Sequence, residues 1–280
     1  MPDLRPRRSV LYLPAIRESA VAKARTVDAD CIIFDLEDAV APDRKDDARA
    51  AAATALITGD WGHRERLVRV NGVTTPWAEA DFAAVRAHAA ALVVPKVDSA
   101  ADAARAVELA EGTPVWAMIE TPRAVIEAPA IAATRGITGL VAGFADLAAT
   151  LRLDPGPARM PLHYAMGAIV VAARAADVLA FDGVFTDIQD LDGLRAEAAQ
   201  ARAFGFDGKT LIHPDQVYIV NAVFAPADAE LDEARGLIAA HEAGLALGLG
   251  VTTYGGKLVE VLHVAAARHR LAVAEAIAAR

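Results

Sequence analysis

The sequence predicts an α/β chain folded as a (β/α)8 TIM barrel with a C-terminal helical extension. Three observations lead there. Short apolar runs recur without polar alternation, as strands buried on both faces do. Each run is followed by an alanine-rich stretch with helical patterning, so strand and helix alternate. About eight such units fit before the pattern changes near Phe224, the strand count of a closed barrel. A doubly wound open sheet is the alternative, and no glycine-rich phosphate loop follows the first run to support it.

Taken in order, strands are expected at 10–14, 31–36, 67–71, 92–95, 115–119, 139–142, 183–186 and 209–212. Helices between them include 18–27, 43–57 and 99–110, with Asp43 and Asp98 standing where helix starts are expected. After the eighth strand come a short helix to Phe224, a long helical stretch at 226–247, a glycine-bearing segment at 248–256 and a last helix from about Leu258. Residues 1–224 are therefore read as the barrel, and 225–280 as an extension, a lid or an oligomer arm. Gly244, Gly248 and Gly250 follow no strand, which excludes a dinucleotide loop there.

Hydrophobic residues make up 55% of the 280 and aromatics only 5%, so the core is built from Val, Ile, Leu and Ala and disorder is excluded. The net charge of −9 repels nucleic acid, and no run of Lys and Arg offsets it. The single cysteine, Cys31, rules out an intramolecular disulfide and fits a reducing compartment. It sits in an apolar run and reads as a small buried hydrophobe. Residues 1–8 are polar and basic with no long apolar region behind them. No signal peptide, no membrane span and a cytoplasmic location are the expectation.

In such a barrel the active site lies where the strands end. The polar residues there are Asp35, Glu37 and Asp38; Arg69 and Asn71; Lys96; Glu120; Asp146 in the loop after the sixth strand; Asp187; and His213. Each acid alone reads equally as a helix cap or an ion-pair partner. Together they pose a problem, because carboxylates crowded into one site raise one another's pKa or move apart. A divalent cation resolves it, and oxygen ligands favour Mg2+ or Mn2+ over zinc. His163, His241 and His263 show no ligand spacing.

The motifs "RSVLYLP" (8–14), "DLEDAVAPDRKDDAR" (35–49), "VRVNG" (68–72), "VPKV" (94–97), "MIET" (118–121), "GFADLAATL" (143–151) and "GFDGKTLIHPDQV" (205–217) occur in this order. The chain thereby resembles the citrate lyase β-subunit-like (CitE-like) branch of the HpcH/HpaI aldolase superfamily, with its malyl-CoA and citramalyl-CoA lyases and malyl-CoA thioesterases. The resemblance spans nearly the whole chain. It implies a barrel that assembles as a trimer or hexamer, with Mg2+ held by Glu120 and Asp146. It places Glu37 and Asp38 on the waters of the ion and Arg69 at the substrate carbonyl. It puts coenzyme A against Tyr12, Arg17, Lys23, Ile212 and His213. The implied reaction is Mg2+-dependent making or breaking of a carbon–carbon bond in a small 3-hydroxyacyl-CoA, giving acetyl-CoA or a homologue and a 2-oxo acid. Alternatives are a malyl-CoA thioesterase, a citrate lyase β subunit acting on a carrier-protein thioester, and a class II pyruvate aldolase without CoA. One departure stands out. Many relatives carry a catalytic Asp in the C-terminal segment, where "YGGKLVE" (254–260) has Glu260.

Overall fold

The structure, a computed structural model, describes residues 5–156 and 158–280. The reading of the N-terminal segment from Met1 lies partly outside them. Arg7–Phe224 forms one compact unit, and Ala225–Arg280 belongs to a second.

In the first unit eight parallel strands close into a barrel: β1 (Ser9–Pro14), β2 (Cys31–Asp35), β3 (Glu65–Arg69), β4 (Ala91–Val94), β5 (Val115–Ile119), β6 (Ile137–Ala142), β7 (Leu179–Asp182) and β8 (Gly208–Leu211), with β8 pairing back onto β1. The helices are α1 (Glu18–Ala24), α2 (Lys45–Ile57), α3 (Ala78–Val85), α4 (Ala100–Ala110), α5 (Pro122–Ala132), α6 (Phe144–Leu151), α7 (His163–Ala175), α8 (Leu191–Phe204) and α9 (Asp215–Phe224). The alanine richness has a packing reason. Ala48, Ala52 and Ala55 on α2, and Ala103, Ala106 and Ala110 on α4, recur at helical spacing and are buried. Side chains this small let each helix lie close on the outward strand residues such as Leu11, Ile32, Phe34 and Val68.

Strand alternation sends the other set inward. Val10, Cys31, Ile33, Leu67, Val93, Trp116, Met118, Val141 and Phe181 form the barrel interior. Trp116 and Phe181 stack there with ring centroids 4.3 Å apart. Gly139 lies opposite Trp116 in register, where a Cβ would come within 2.9 Å of the indole. The barrel is thus plugged below its C-terminal rim, and a site can form only above the plug.

The seventh strand is Leu179–Asp182, and 183–186 is not a strand. An acid ends the true strand, which hides it in a search for apolar runs. Asp182 is fully buried because cations meet it: Lys209 Nζ donates to Asp182 Oδ2 at 2.7 Å and Arg159 Nη1 to Oδ1 at 2.8 Å. Lys209 also reaches Gly183 O and Glu197 Oε1, both at 2.6 Å. Asp187, expected at the end of this strand, is exposed and accepts from the backbone N–H groups of Gln189 and Asp190. Likewise Ser99, not Asp98, caps α4.

The second unit holds α10 (Asp228–Ala246), a hairpin of β9 (Thr252–Tyr254) and β10 (Lys257–Val259), and α11 (Val261–Ala278). The hairpin was not expected. Its turn is Gly255-Gly256, both at positive φ, as a two-residue hairpin turn requires. Among the described residues no helix is long and apolar enough to cross a membrane.

Removing Lys209 leaves Glu197 and Asp182 facing each other with fewer cations in a buried place. Lys209→Met should therefore cost about 3 kcal/mol in denaturant unfolding; a loss under about 1 kcal/mol would show the cluster to be idle.

Candidate active site

The inward column of β2 ends in Asp35 and that of β3 in Arg69, and the two are register partners. Arg69 Nε donates to Asp35 Oδ1 at 2.8 Å and Nη2 to Oδ2 at 2.6 Å, a bidentate fork. Its Nη1 lies 2.9 Å from Glu37 Oε2, and the guanidinium covers the Tyr12 ring at 4.9 Å. Burial pulls the Arg69 pKa down, but the bonds and charge of Asp35 outweigh it, so the net shift is upward. Burial likewise raises the Tyr12 phenol. Both groups therefore keep their protons at neutral pH.

The turn carrying Glu37 is held from behind. Lys45 Nζ donates to the carbonyls of Leu36 and Glu37, each at 2.8 Å. Its own pKa is lowered by that burial. Burial also raises the pKa of Glu37, against the pull of Arg69.

Glu120 continues the inward column of Trp116 and Met118 and is 3% exposed. Its Oε1 accepts the Lys96 backbone N–H at 2.6 Å. Lys96 makes this bond from a left-handed backbone at φ 54°, a conformation a side-chain-bearing residue rarely adopts. The other side of Glu120 abuts Gly143, where a Cβ would fall 2.4 Å from the Glu120 Cβ and 2.7 Å from Oε2. Only glycine fits there. Gly143 caps α6 and thereby places Asp146 in that helix's first turn, where the helix dipole favours an acid.

A cavity of about 350 Å3 opens at this end, lined among others by Tyr12, Asp35, Asp38, Arg69, Met118, Glu120, Phe144, Asp146, Val184 and Ile212. A second, of about 260 Å3, is lined by Lys96, Asp98, Glu120, Thr121, Asp146, Ala149 and Thr150. Glu120 and Asp146 are walls of both. Of the residues singled out in the sequence, Tyr12, Asp35, Asp38, Arg69, Glu120, Asp146 and Ile212 meet on the first cavity. Glu37 joins them through Arg69 and through Lys96, whose Nζ is 3.4 Å from Oε1. His213 stands beside Ile212, its Nδ1 accepting the Asp215 N–H. Arg17 and Lys23 are exposed, at the start of α1 and in its last turn. Glu260 belongs to the second unit and precedes α11, its N–H donated to His263 Nδ1 at 3.0 Å. Asp35 and Lys96, singled out in the sequence only as polar residues at strand ends, gain specific partners here. The pairing of Asp35 with Arg69 could have been read from its parity with Ile33. The role of Lys96 depends on a backbone turn that no residue type signals.

Five carboxylates, Asp35, Glu37, Asp38, Glu120 and Asp146, thus surround the side chains of Arg69 and Lys96. Burial, with the charges of Glu37 and Asp146, pushes the Glu120 pKa up to about 7 against the Lys96 hydrogen bond. Glu37 Oε2 is buried without an aligned hydrogen bond. Among the described residues no three His, Cys, Asp or Glu form a metal cage. The set suits Mg2+ instead, which takes one or two carboxylates and keeps the rest of its shell for water or ligand. Glu120 and Asp146 are the pair that fits.

The raised pKa of Glu120 has a stability consequence. Its ionised form is disfavoured in the fold, so the cost is absent below about pH 4.5 and grows as pH rises toward 7. With chelator present, Glu120→Gln should stabilise the chain at pH 8 by on the order of 2 kcal/mol and barely at pH 4.5, in thermal melts. A lower midpoint for the variant at pH 8 would contradict this.

Several known proteins are similar to this chain along nearly its whole length. A (3S)-malyl-CoA thioesterase of Cereibacter sphaeroides is 49% identical over 98% of this chain and 96% of its own length. An L-malyl-CoA/β-methylmalyl-CoA lyase of the same species is 35% identical over 99% and 98%. The crystal structure of CitE from Mycobacterium tuberculosis, in complex with magnesium, acetoacetate and coenzyme A, superposes with a TM-score of 0.82 at 33% identity, covering 98% of this chain and all of that one. Residues 8–214 match the family HpcH/HpaI aldolase/citrate lyase, and the chain belongs to that family.

Proposed function

We propose that the chain is a Mg2+-dependent hydrolase of the thioester bond in a small 3-hydroxyacyl-CoA that carries a free carboxylate, of the (3S)-malyl-CoA type. The observation behind this reading is the single cavity onto which Arg69, Asp38, Glu120 and Asp146 converge. Identity across nearly the whole chain favours the hydrolase over the lyase, at 49% against 35%.

Glu120 and Asp146 would hold Mg2+, or Mn2+ in its place. When bound, the ion supplies Lewis-acid polarisation at the hydroxy-acid end of the substrate. Arg69 faces the thioester carbonyl. Asp35 holds its guanidinium rigid, so its remaining N–H groups are already aimed when charge develops on that oxygen. Asp38 is exposed on the cavity and acts as the proton acceptor for the attacking water, with Glu37 restraining Arg69. Tyr12, Met118, Phe144, Val184 and Ile212 give the cavity apolar walls, which strengthen each charge interaction inside it. Arg17 and Lys23 supply cations for the CoA phosphates, and Ile212 and His213 flank the pantetheine arm. Glu260 would be a further general acid or base, and residues 225–280 a lid or oligomer arm in a trimer or hexamer.

Carbon–carbon cleavage is the second reading, favoured by the 35% identity to the malyl-CoA lyase over almost the full length of both chains. It uses the same cavity and the same Arg69, with charge developing on an enolate oxygen. The citrate lyase β-subunit reading would require a carrier protein, and the pyruvate aldolase reading would dispense with CoA.

The two leading outcomes separate by product. Purified chain with malyl-CoA and Mg2+ should release free CoA thiol and malate without glyoxylate. Stoichiometric glyoxylate would make it a lyase, and full turnover in EDTA would remove the metal. Arg69→Lys keeps the charge but loses the fork to Asp35, so kcat/KM should fall about 100-fold.

A further inference from the structure

Among the described residues, three side chains that line the larger cavity can donate a hydrogen bond: Tyr12, Arg69 and Thr210. Two are largely committed within the fold. Arg69 places Nε and Nη2 on Asp35 and Nη1 against Glu37. Thr210 is buried and donates its hydroxyl to the Asp182 carbonyl at 2.9 Å. Tyr12 differs. Its hydroxyl meets the Met118 thioether, with Oη 3.9 Å from Sδ, and a thioether is a weak acceptor. The fold therefore leaves this donor largely unspent.

Position agrees with availability. Tyr12 follows Val10 in the inward column of β1, whereas Met118 stands on β5, on the far side of the closed barrel. The ring thus lies across the mouth, with the Arg69 guanidinium over it at 4.9 Å. Tyr12, Met118 and Arg69 all line the cavity, so an oxygen held there against Arg69 also has the Tyr12 hydroxyl within reach. Burial raises the phenol's pKa against the pull of Arg69, and the hydroxyl keeps its proton at neutral pH. We propose that Tyr12 donates a hydrogen bond to the thioester carbonyl oxygen of the substrate and, with Arg69, stabilises the charge that develops on it. Donors already in place contribute most where charge appears during the reaction. This assignment rests on the thioester substrate proposed above. It does not depend on which bond breaks, because attack by water and carbon–carbon cleavage both put negative charge on that oxygen.

The test is equilibrium binding, with Mg2+, of two inert analogues of malyl-CoA to the full chain and to Tyr12→Phe. The amide analogue has NH in place of the sulfur and keeps the carbonyl. The thioether analogue has CH2 in place of the carbonyl. Tyr12→Phe keeps the ring beneath Arg69 and loses only the hydroxyl. Wild type should bind the amide more tightly, and the variant should shrink that preference about tenfold by weakening the amide alone. With malyl-CoA itself, kcat of the variant should fall by on the order of 100-fold with KM little changed. Equal weakening of both analogues, or a raised KM at unchanged kcat, would make Tyr12 a wall of the CoA channel and overturn the proposal. So would an unchanged preference in Tyr12→Phe, or none in wild type. A chain that binds neither analogue would refute the substrate class and Tyr12 with it. If the expected preferences appear but malyl-CoA is split to glyoxylate without release of CoA thiol, the hydrolase reading falls and the assignment of Tyr12 stands.

Discussion

The constraint behind everything else at the barrel mouth is the burial of Glu120. A carboxylate at 3% exposure with other acids in its field is costly as an anion. The chain nonetheless builds around it. Lys96 adopts a strained backbone to hydrogen-bond one oxygen, and Gly143 gives up a side chain to make room for the other. Such local exceptions serve a purpose when a charge must stay where it is. The plug of Trp116 and Phe181 below and the apolar walls above leave that charge little water, so a cation is the partner that best offsets it.

Arg69 is fixed by the same logic. Asp35 and Arg69 face each other across neighbouring strands, so their pairing follows from register alone. The guanidinium is then held in one plane over Tyr12 and cannot swing. That rigidity suits a group that stabilises charge on a substrate oxygen and ill suits one that captures substrate. Lys96 is held less tightly, its side chain half exposed and its ammonium 3.4 Å from Glu37 Oε1.

Much of this was legible in the sequence because it follows from periodicity. Apolar strand runs and alanine-faced helices report the barrel directly, and acids at strand ends report where the site forms. What failed to show had physical reasons. The buried ion pairs of Asp182 put a charge where an apolar strand was sought, so the seventh strand was placed four residues late. The hairpin of the second unit is two three-residue strands around a glycine pair, too short for an alternation signal. The bond from the Lys96 backbone to Glu120 depends on a dihedral angle, not on residue type. Glu260 could be noticed in sequence only as one acid standing where relatives have another.

The central claim is that Glu120 and Asp146 form one divalent cation site at the mouth of the barrel. Calorimetric titration of Mn2+ into the metal-free chain, with Asp146→Asn alongside, addresses it most directly. The account predicts one cation per chain in wild type and loss of that binding in the variant, with both proteins folded by circular dichroism. Equal binding by the two would contradict it.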